Sequence, residues 1–309
     1  MSSDTHVPVL LGPVLEGLEI RTDGLYVDGT FGRGGHSSAI LQRLNADGRL
    51  IAIDRDPQAI AAASPLLTND PRFTLIRSDF ADLARQLDQM GLTGRVDGML
   101  FDLGVSSPQL DEAGRGFSFL RDGPLDMRMD PDAGISAAEW LNTANEKTMK
   151  QVFYKYGEER DAPRIARAIV AARADTAFAT TGQLADVVCS VIPAHTRKKH
   201  AATKTFQAIR IFINDELGQL ERVLKQSIKI LAAGGRLCVI SFHSLEDRIV
   251  KRFMRDASRE SDQWRGMPDV PAEFQPKLRI IGKAITASAE EVAANVRARS
   301  ARLRVAERN

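Results

Sequence analysis

Four short apolar runs, parted by stretches that read as helices, decide what this chain can fold into. They cover residues 25–28 (LYVD), 50–54 (LIAID), 73–76 (FTLI) and 98–102 (GMLFD). Helical patterns lie between them at 37–44, 57–63 and 81–90, the second opening on Pro57, a residue the first helical turn tolerates because its N–H would be unpaired anyway. Strand and helix alternating at this spacing predict a parallel sheet covered on both faces. The rhythm then stops. The next buried strand is expected at 236–241 (RLCVIS), announced by Gly234 and Gly235.

About 130 residues separate the fourth strand from the fifth, several times what one crossover needs. Helical patterns at 137–141, 146–156, 160–173 and 182–191 fill the surplus. The expected organisation is an α/β core made of residues 1–108 and 209–309, holding an inserted helical domain at 109–208. One long helix over 205–231 is expected to return the chain to the sheet. No repeat or low-complexity segment interrupts it.

A composition of 43% hydrophobic and 27% charged residues excludes global disorder. No run approaches the ~18 apolar residues a membrane helix needs. The opening MSSDTH has neither a basic nor an apolar region, so no signal peptide is expected. Cys189 and Cys238 stand alone, without a CxxC pair, which argues against a disulfide framework or a cysteine zinc site and for a reducing cytoplasm.

The net charge of +2 is too small to announce a nucleic-acid partner, but its distribution is uneven. Residues 193–210 hold five Lys/Arg and no acid. Residues 277–309 hold eight Lys/Arg against three Glu. Such clusters suit phosphate neutralisation or a solvated face equally.

The first strand leads into Asp28-Gly-Thr-Phe-Gly32-Arg-Gly34-Gly35-His36. Glycines here allow a tight turn and close backbone approach to a ligand, and the helix that follows offers its positive end to an anionic group. Asp54, at the second strand tip, can accept both hydroxyls of an adenosine ribose. Phe80 follows the third tip, where a ring can lie on an adenine or serve the core. Acids close all four tips: Asp28, Asp54, Asp79 and Asp102. A dinucleotide turn would prefer G-x-G-x-x-G, whereas here the last position is Ser37. A carboxylate at Asp28 repels a pyrophosphate but can neighbour an amino group or a sulfonium. That favours S-adenosylmethionine over NAD, and the residues alone leave the choice open.

Four long segments then carry a resemblance: 26–38 (YVDGTFGRGGHSS), 101–109 (FDLGVSSPQ), 123–130 (GPLDMRMD) and 239–252 (VISFHSLEDRIVKR). Together with 156–160, 205–214 and the tail at 297–308, they closely resemble the bacterial ribosomal RNA small subunit methyltransferase H (MraW) family over nearly the whole chain. The stretch 256–276 carries the least of it. The resemblance implies a class I (Rossmann-like) S-adenosylmethionine-dependent methyltransferase fold with an inserted helical domain. It implies methylation of the exocyclic N4 of a cytidine in the decoding centre of 16S ribosomal RNA. The cofactor contacts it implies are Gly34, Gly35 and His36 in the first turn, Asp54 at the ribose, Phe80 beside the adenine, and Asp102 and Gln109 after the fourth strand.

An aromatic amine is a poor nucleophile, so the chemistry calls for alignment and for an acceptor on an N4 proton. Amino-directed methyltransferases usually offer an Asn/Asp-Pro-Pro-aromatic turn. This chain has Asp102-Leu-Gly-Val-Ser-Ser-Pro108 instead, and Asp102, or a carbonyl within 103–106, is the candidate acceptor. A purely cofactor-binding Asp102 is the competing reading. His243, after the fifth strand, is a candidate contact to the base or a phosphate, against a structural role in its turn. Asp126, Arg128 and Asp130 suit an ion pair within their loop as well as a substrate contact. Gln207, Arg210 and Asn214 form a polar stripe beside an apolar one, by default a boundary face. His195 and His200 flank Arg197-Lys198-Lys199 without a carboxylate at ligand spacing, so phosphate rather than metal is expected there. The expected partner is small-subunit ribosomal RNA, in an assembled subunit, gripped by the insertion and the basic tail. Oligomeric state stays open, a homodimer being one option. The rival functions are a DNA N4-cytosine methyltransferase, an NAD-dependent oxidoreductase and a non-catalytic nucleic-acid-binding module.

Overall fold

The computed structural model describes residues 8–192, 200–260, 264, 271 and 274–309. The opening MSSDTH and the group His195, Arg197, Lys198 and Lys199 lie outside the described residues. The chain divides into two compact units, residues 1–104 with 217–309, and residues 105–216.

The first unit is built on a sheet. Among the described residues its strands are β1 (Leu25–Asp28), β2 (Arg49–Asp54), β3 (Phe73–Arg77), β4 (Val96–Asp102), β5 (Leu231–Ser241), β6 (Leu278–Thr286) and β7 (Arg302–Arg308). They lie in the order β3-β2-β1-β4-β5-β7-β6. The pairs β1–β2, β1–β4, β2–β3 and β4–β5 are parallel, so these five strands end on one edge. The helices α1 (Leu11–Leu18), α2 (Gly35–Leu41), α3 (Pro57–Ala61), α4 (Pro65–Thr68) and α5 (Leu83–Gln89) accompany the first four strands. Successive strand residues point to opposite faces. In β4, Leu100 therefore enters a cluster with Leu18, Leu50, Ile240 and Leu303. Its neighbours Met99 and Phe101 enter another with Val27, Ile53 and Val239. Burial on both faces is why these strands read as continuous apolar runs.

The second unit is helical and has its own core. Its helices are α6 (Ser107–Asp111), α7 (Ala137–Thr143), α8 (Glu146–Gly157), α9 (Ala162–Asp175), α10 (Thr181–Val191) and α11 (Thr203–Ile213). Trp140, Phe153, Ile165, Leu184 and Ile209 are buried together there. The chain returns through α12 (Glu216–Ile230), followed after β5 by α13 (Ser244–Ala257) and, before β7, by α14 (Ala289–Ala294).

One expectation needs correction. The single helix over 205–231 is broken: α11 stops at Ile213, and Asp215 takes a left-handed φ of 47°. The cause is Asn214, which is buried. Its Oδ1 accepts from Met129 N at 2.8 Å, while its Nδ2 donates to Met127 O at 2.8 Å. Those bonds tie the helix end to an irregular segment that has no repeating partner of its own. The Arg210 guanidinium bridges the break to Glu216 at 2.8 and 2.9 Å. The basic tail ends in a strand not expected from its sequence. β7 lies between β5 and β6, antiparallel to both, and alternates buried Leu303 and Val305 with arginines. Arg302 and Arg304 meet Asp247 at 3.0 and 2.7 Å, and Arg279 meets Glu307 at 2.6 Å. Arg279, Arg302 and Arg304 are thus paired within the fold.

Candidate active site

The chain runs outward from β1 to β2 and β3, then crosses back to place β4 on the other side of β1. The strand order reverses between β1 and β4. α2, which follows β1, packs Ile40 and Leu41 on one face, and α5, which precedes β4, packs Leu83 and Leu87 on the other; ligands of wound sheets bind at the carboxyl edge of such a switch point. Two segments meet there, residues 28–36 after β1 and residues 102–104 at the end of β4.

The first segment is pinned by its own backbone. Gly29 N donates to Leu100 O at 2.9 Å and Phe31 N to Ile53 O at 2.9 Å. Gly34 adopts a φ of 74°, and a Cβ there would lie 2.7 Å from the Phe31 ring. A side chain at Gly35 would come within 2.4 Å of Pro8. Both positions require glycine for the turn itself, one by conformation and one by space.

Asp28 departs from expectation. It is 1% exposed, and its carboxylate accepts from Ser37 Oγ at 2.7 Å and Thr30 N at 3.1 Å. Burial raises its pKa, an effect that the Ser37 hydroxyl partly offsets. The side chain staples β1 to the start of α2. Asp79 is also engaged, by Arg55 at 3.1 Å and Gln219 Nε2 at 3.2 Å.

Asp54 ends β2 and reaches over the turn. It accepts from Gly32 N at 2.7 Å and Asp56 N at 2.8 Å. Burial pushes its pKa up to about 6, although those two N–H groups pull the other way. Phe80 opens a short turn after β3, half-buried, its ring centre 5.9 Å from that of Phe101.

Asp102 and His36 face each other across the switch point. Asp102 N donates to Thr30 Oγ1 at 2.7 Å, which fixes the end of β4 against the glycine turn. Its Oδ2 lies 3.6 Å from His36 Nε2, while Oδ1 is buried without a hydrogen-bond partner. His36 is 6% exposed, and neither ring nitrogen has a hydrogen-bond partner. Burial works against the charged imidazole, but the Asp102 and Asp28 carboxylates outweigh it and raise its pKa. Buried polar atoms left unmet are costly in a resting protein. Unmet atoms at a crevice suit a polar ligand, as does an acid with the geometry of Asp54. Thr30 was missed from the sequence, although its place two residues after a strand-ending Asp, where hydroxyls bond backbone N–H groups, is a readable signal.

His243 caps α13. Its Nδ1 accepts from Glu246 N at 3.4 Å and its Nε2 lies 3.2 Å from Glu246 Oε1. The Glu246 carboxylate in turn accepts from Phe242 N at 2.8 Å. The His243 Nδ1 is thus engaged in the helix cap, while its Nε2 is buried without a hydrogen-bond partner. In the second unit, Gln109 is buried and its Oε1 accepts from Ser106 N at 3.0 Å, capping α6. Asp126 and Arg128 form an ion pair at 2.7 Å within their loop. Gln207 donates to Tyr156 O at 3.1 Å, so the whole polar stripe of α11 has structural partners.

A sheet wound in this order, with one antiparallel strand slipped in beside β5, is that of the class I methyltransferases, which take S-adenosylmethionine as donor. The model of the MraW methylase family matches residues 3–309. A curated relative from Nitrosococcus oceani, ribosomal RNA small subunit methyltransferase H, is 55% identical over 305 residues, covering 98% of this chain and 97% of that protein. Solved structures are looser matches. A Clostridium thermocellum protein described as an rRNA-methylase is 12% identical, covers 98% of this chain and 97% of its own, and has a TM-score of 0.45. An rRNA methylase from Streptococcus thermophilus is 13% identical, covers 97% and 92%, and has a TM-score of 0.38. The chain belongs to the MraW methylase family. That membership sets aside the oxidoreductase and the non-catalytic module. Among the described residues, no helix is long and apolar enough to cross a membrane.

Proposed function

We propose that this enzyme methylates the exocyclic N4 of a cytidine in small-subunit (16S) ribosomal RNA. The observation that carries this reading is end-to-end likeness, at 55% identity, to a protein named as a small-subunit ribosomal RNA methyltransferase. The same likeness favours RNA over the DNA N4-cytosine reading. The cofactor supplies a methyl group activated on a positively charged sulfur. The residues assigned to hold it are Gly34, Gly35 and His36 in the turn after β1, Asp54 at the ribose hydroxyls, Phe80 beside the adenine, and Asp102 with Gln109.

Asp102 also takes a chemical role. The amine must lose a proton as it gains the methyl group, and its lone pair is held in the ring until an acceptor engages that proton. The partner-free Oδ1 of Asp102 is that acceptor. His243 and Glu246 keep the turn after β5 in shape, so His243 acts on the site's walls rather than on the reacting atoms. A base inside a folded RNA must be unstacked and presented singly. Residues 105–216 are assigned to that presentation, with an assembled subunit in the cytoplasm as the working substrate.

The test is transfer of labelled methyl groups to small subunits that lack the modification, followed by nucleoside analysis. Label in N4-methylcytidine is expected. Label in another nucleoside, or none in RNA under conditions where the donor binds, contradicts the proposal.

A further inference from the structure

Helix α13 starts at the same sheet edge as Asp102. It follows β5 after Phe242 and His243, and Asp102 pairs with Ile240 in that strand. Its inner face carries Glu246, Val250 and Met254, all buried. Its outer face carries Arg248, Lys251, Arg252 and Arg255, all exposed. Spacings of three and four residues put these four on one stripe. At 1.5 Å per residue the stripe runs for roughly 10 Å along the helix, away from the site.

The acids of this helix leave the stripe basic. Glu246 is buried and bonded to its own N-terminal turn. Asp247 is held by Arg302 and Arg304. Asp256 pairs with Arg255 at 2.7 Å. Lys251 and Arg252 make no ion pair among the described residues. In β7, by contrast, Arg302 and Arg304 are both engaged by Asp247.

We infer that the outer face of α13 binds the phosphate backbone of the RNA strand whose base enters the site, an inference that rests on the small-subunit RNA reading. Three of the four side chains are arginine, and the guanidinium fork matches phosphate oxygens in pairs. A stripe of roughly 10 Å is long enough to meet more than one phosphate of the strand. Contacts of this kind position a strand without reading its bases.

The test is Lys251→Gln/Arg252→Gln, with Lys251→Glu/Arg252→Glu as a second variant, assayed with undermethylated small subunits from low to high salt. Both side chains are exposed, so the thermal midpoint and the affinity for S-adenosylhomocysteine should match the unaltered enzyme. The expected result is a KM raised about 10-fold or more near physiological salt, with kcat within about threefold. The slope of log(kcat/KM) against log[salt] should flatten by about 1.4, two contacts at about 0.7 each for single strands. An unchanged KM and slope overturns the inference. So does a raised KM with an unchanged slope, which assigns the face to a protein partner. An unaltered enzyme that binds donor but leaves the subunits unmethylated overturns the RNA reading and this inference with it. A loss confined to the two variants leaves that reading standing.

Discussion

Asp102 has two carboxylate oxygens in unlike surroundings, one 3.6 Å from His36 and one buried without a partner. If Oδ1 accepts the amine proton, Asp102→Asn removes an acceptor and puts an N–H donor in reach of the substrate. Methyl transfer should then fall by about 10² to 10⁴, the usual worth of a positioned acid–base group. Affinity for S-adenosylhomocysteine, read by calorimetry, should stay within about threefold. Near-normal turnover, or a loss confined to cofactor affinity, contradicts the acceptor role. Asp54 gives a pH prediction. Ribose hydroxyls donate to an ionised carboxylate, and burial has raised this group to about 6. Cofactor affinity should therefore be flat above pH 7 and fall as pH drops through about 6, which titration calorimetry from pH 8 to 5 can follow. The linked effect on folding has the opposite sense. A carboxyl whose folded pKa lies above its ordinary 3.8 contributes stability that is full below that value and lost as pH rises through about 6. Affinity that holds constant down to pH 5 counts against Asp54 at the ribose.

The elements differ in how much of them a sequence betrays. Strands β1 to β4 were legible because both faces of a parallel sheet are buried, leaving runs such as Met99, Leu100 and Phe101 with little polar content. The glycine turn was legible because Gly34 sits where other side chains are strained and crowded. β7 was not, since arginines occupy its alternate positions and their partners, Asp247 above all, lie far away in sequence. Its period of two was present in Leu303 and Val305 but was outweighed by charge. The break in the return helix was hidden for a related reason: Asn214 ends α11 by bonding Met127 and Met129, more than eighty residues earlier. The cap that His243 Nδ1 makes with Glu246 N was hidden too, because a histidine is an uncommon N-cap and sequence does not show which way its ring turns. If β7 is a central strand, Leu303→Ala opens a cavity in a fully buried position and should cost about 2–5 kcal/mol in urea unfolding. A midpoint unchanged from the parent protein means that residues 302–308 form a loose tail after all.

At the scale of the whole molecule, two units with separate cores are strung on one chain. Phe153 and Ile209 belong to one core, Phe101 and Leu303 to the others. Units with cores of their own can open with their own free energies. Native-state hydrogen exchange in mild denaturant should thus show residues 105–216 and the sheet unit as distinct cooperative groups. One common opening energy for both argues against that division. The central claim concerns topology: the crevice between β1 and β4, where strand order reverses, is where the donor lies. A crystal structure with S-adenosylhomocysteine tests it most directly. The account predicts ribose hydroxyls within about 2.6–3.2 Å of the Asp54 carboxylate and the amino-acid end against Gly34 and Asp102. Product bound away from these residues, with the crevice empty, contradicts it.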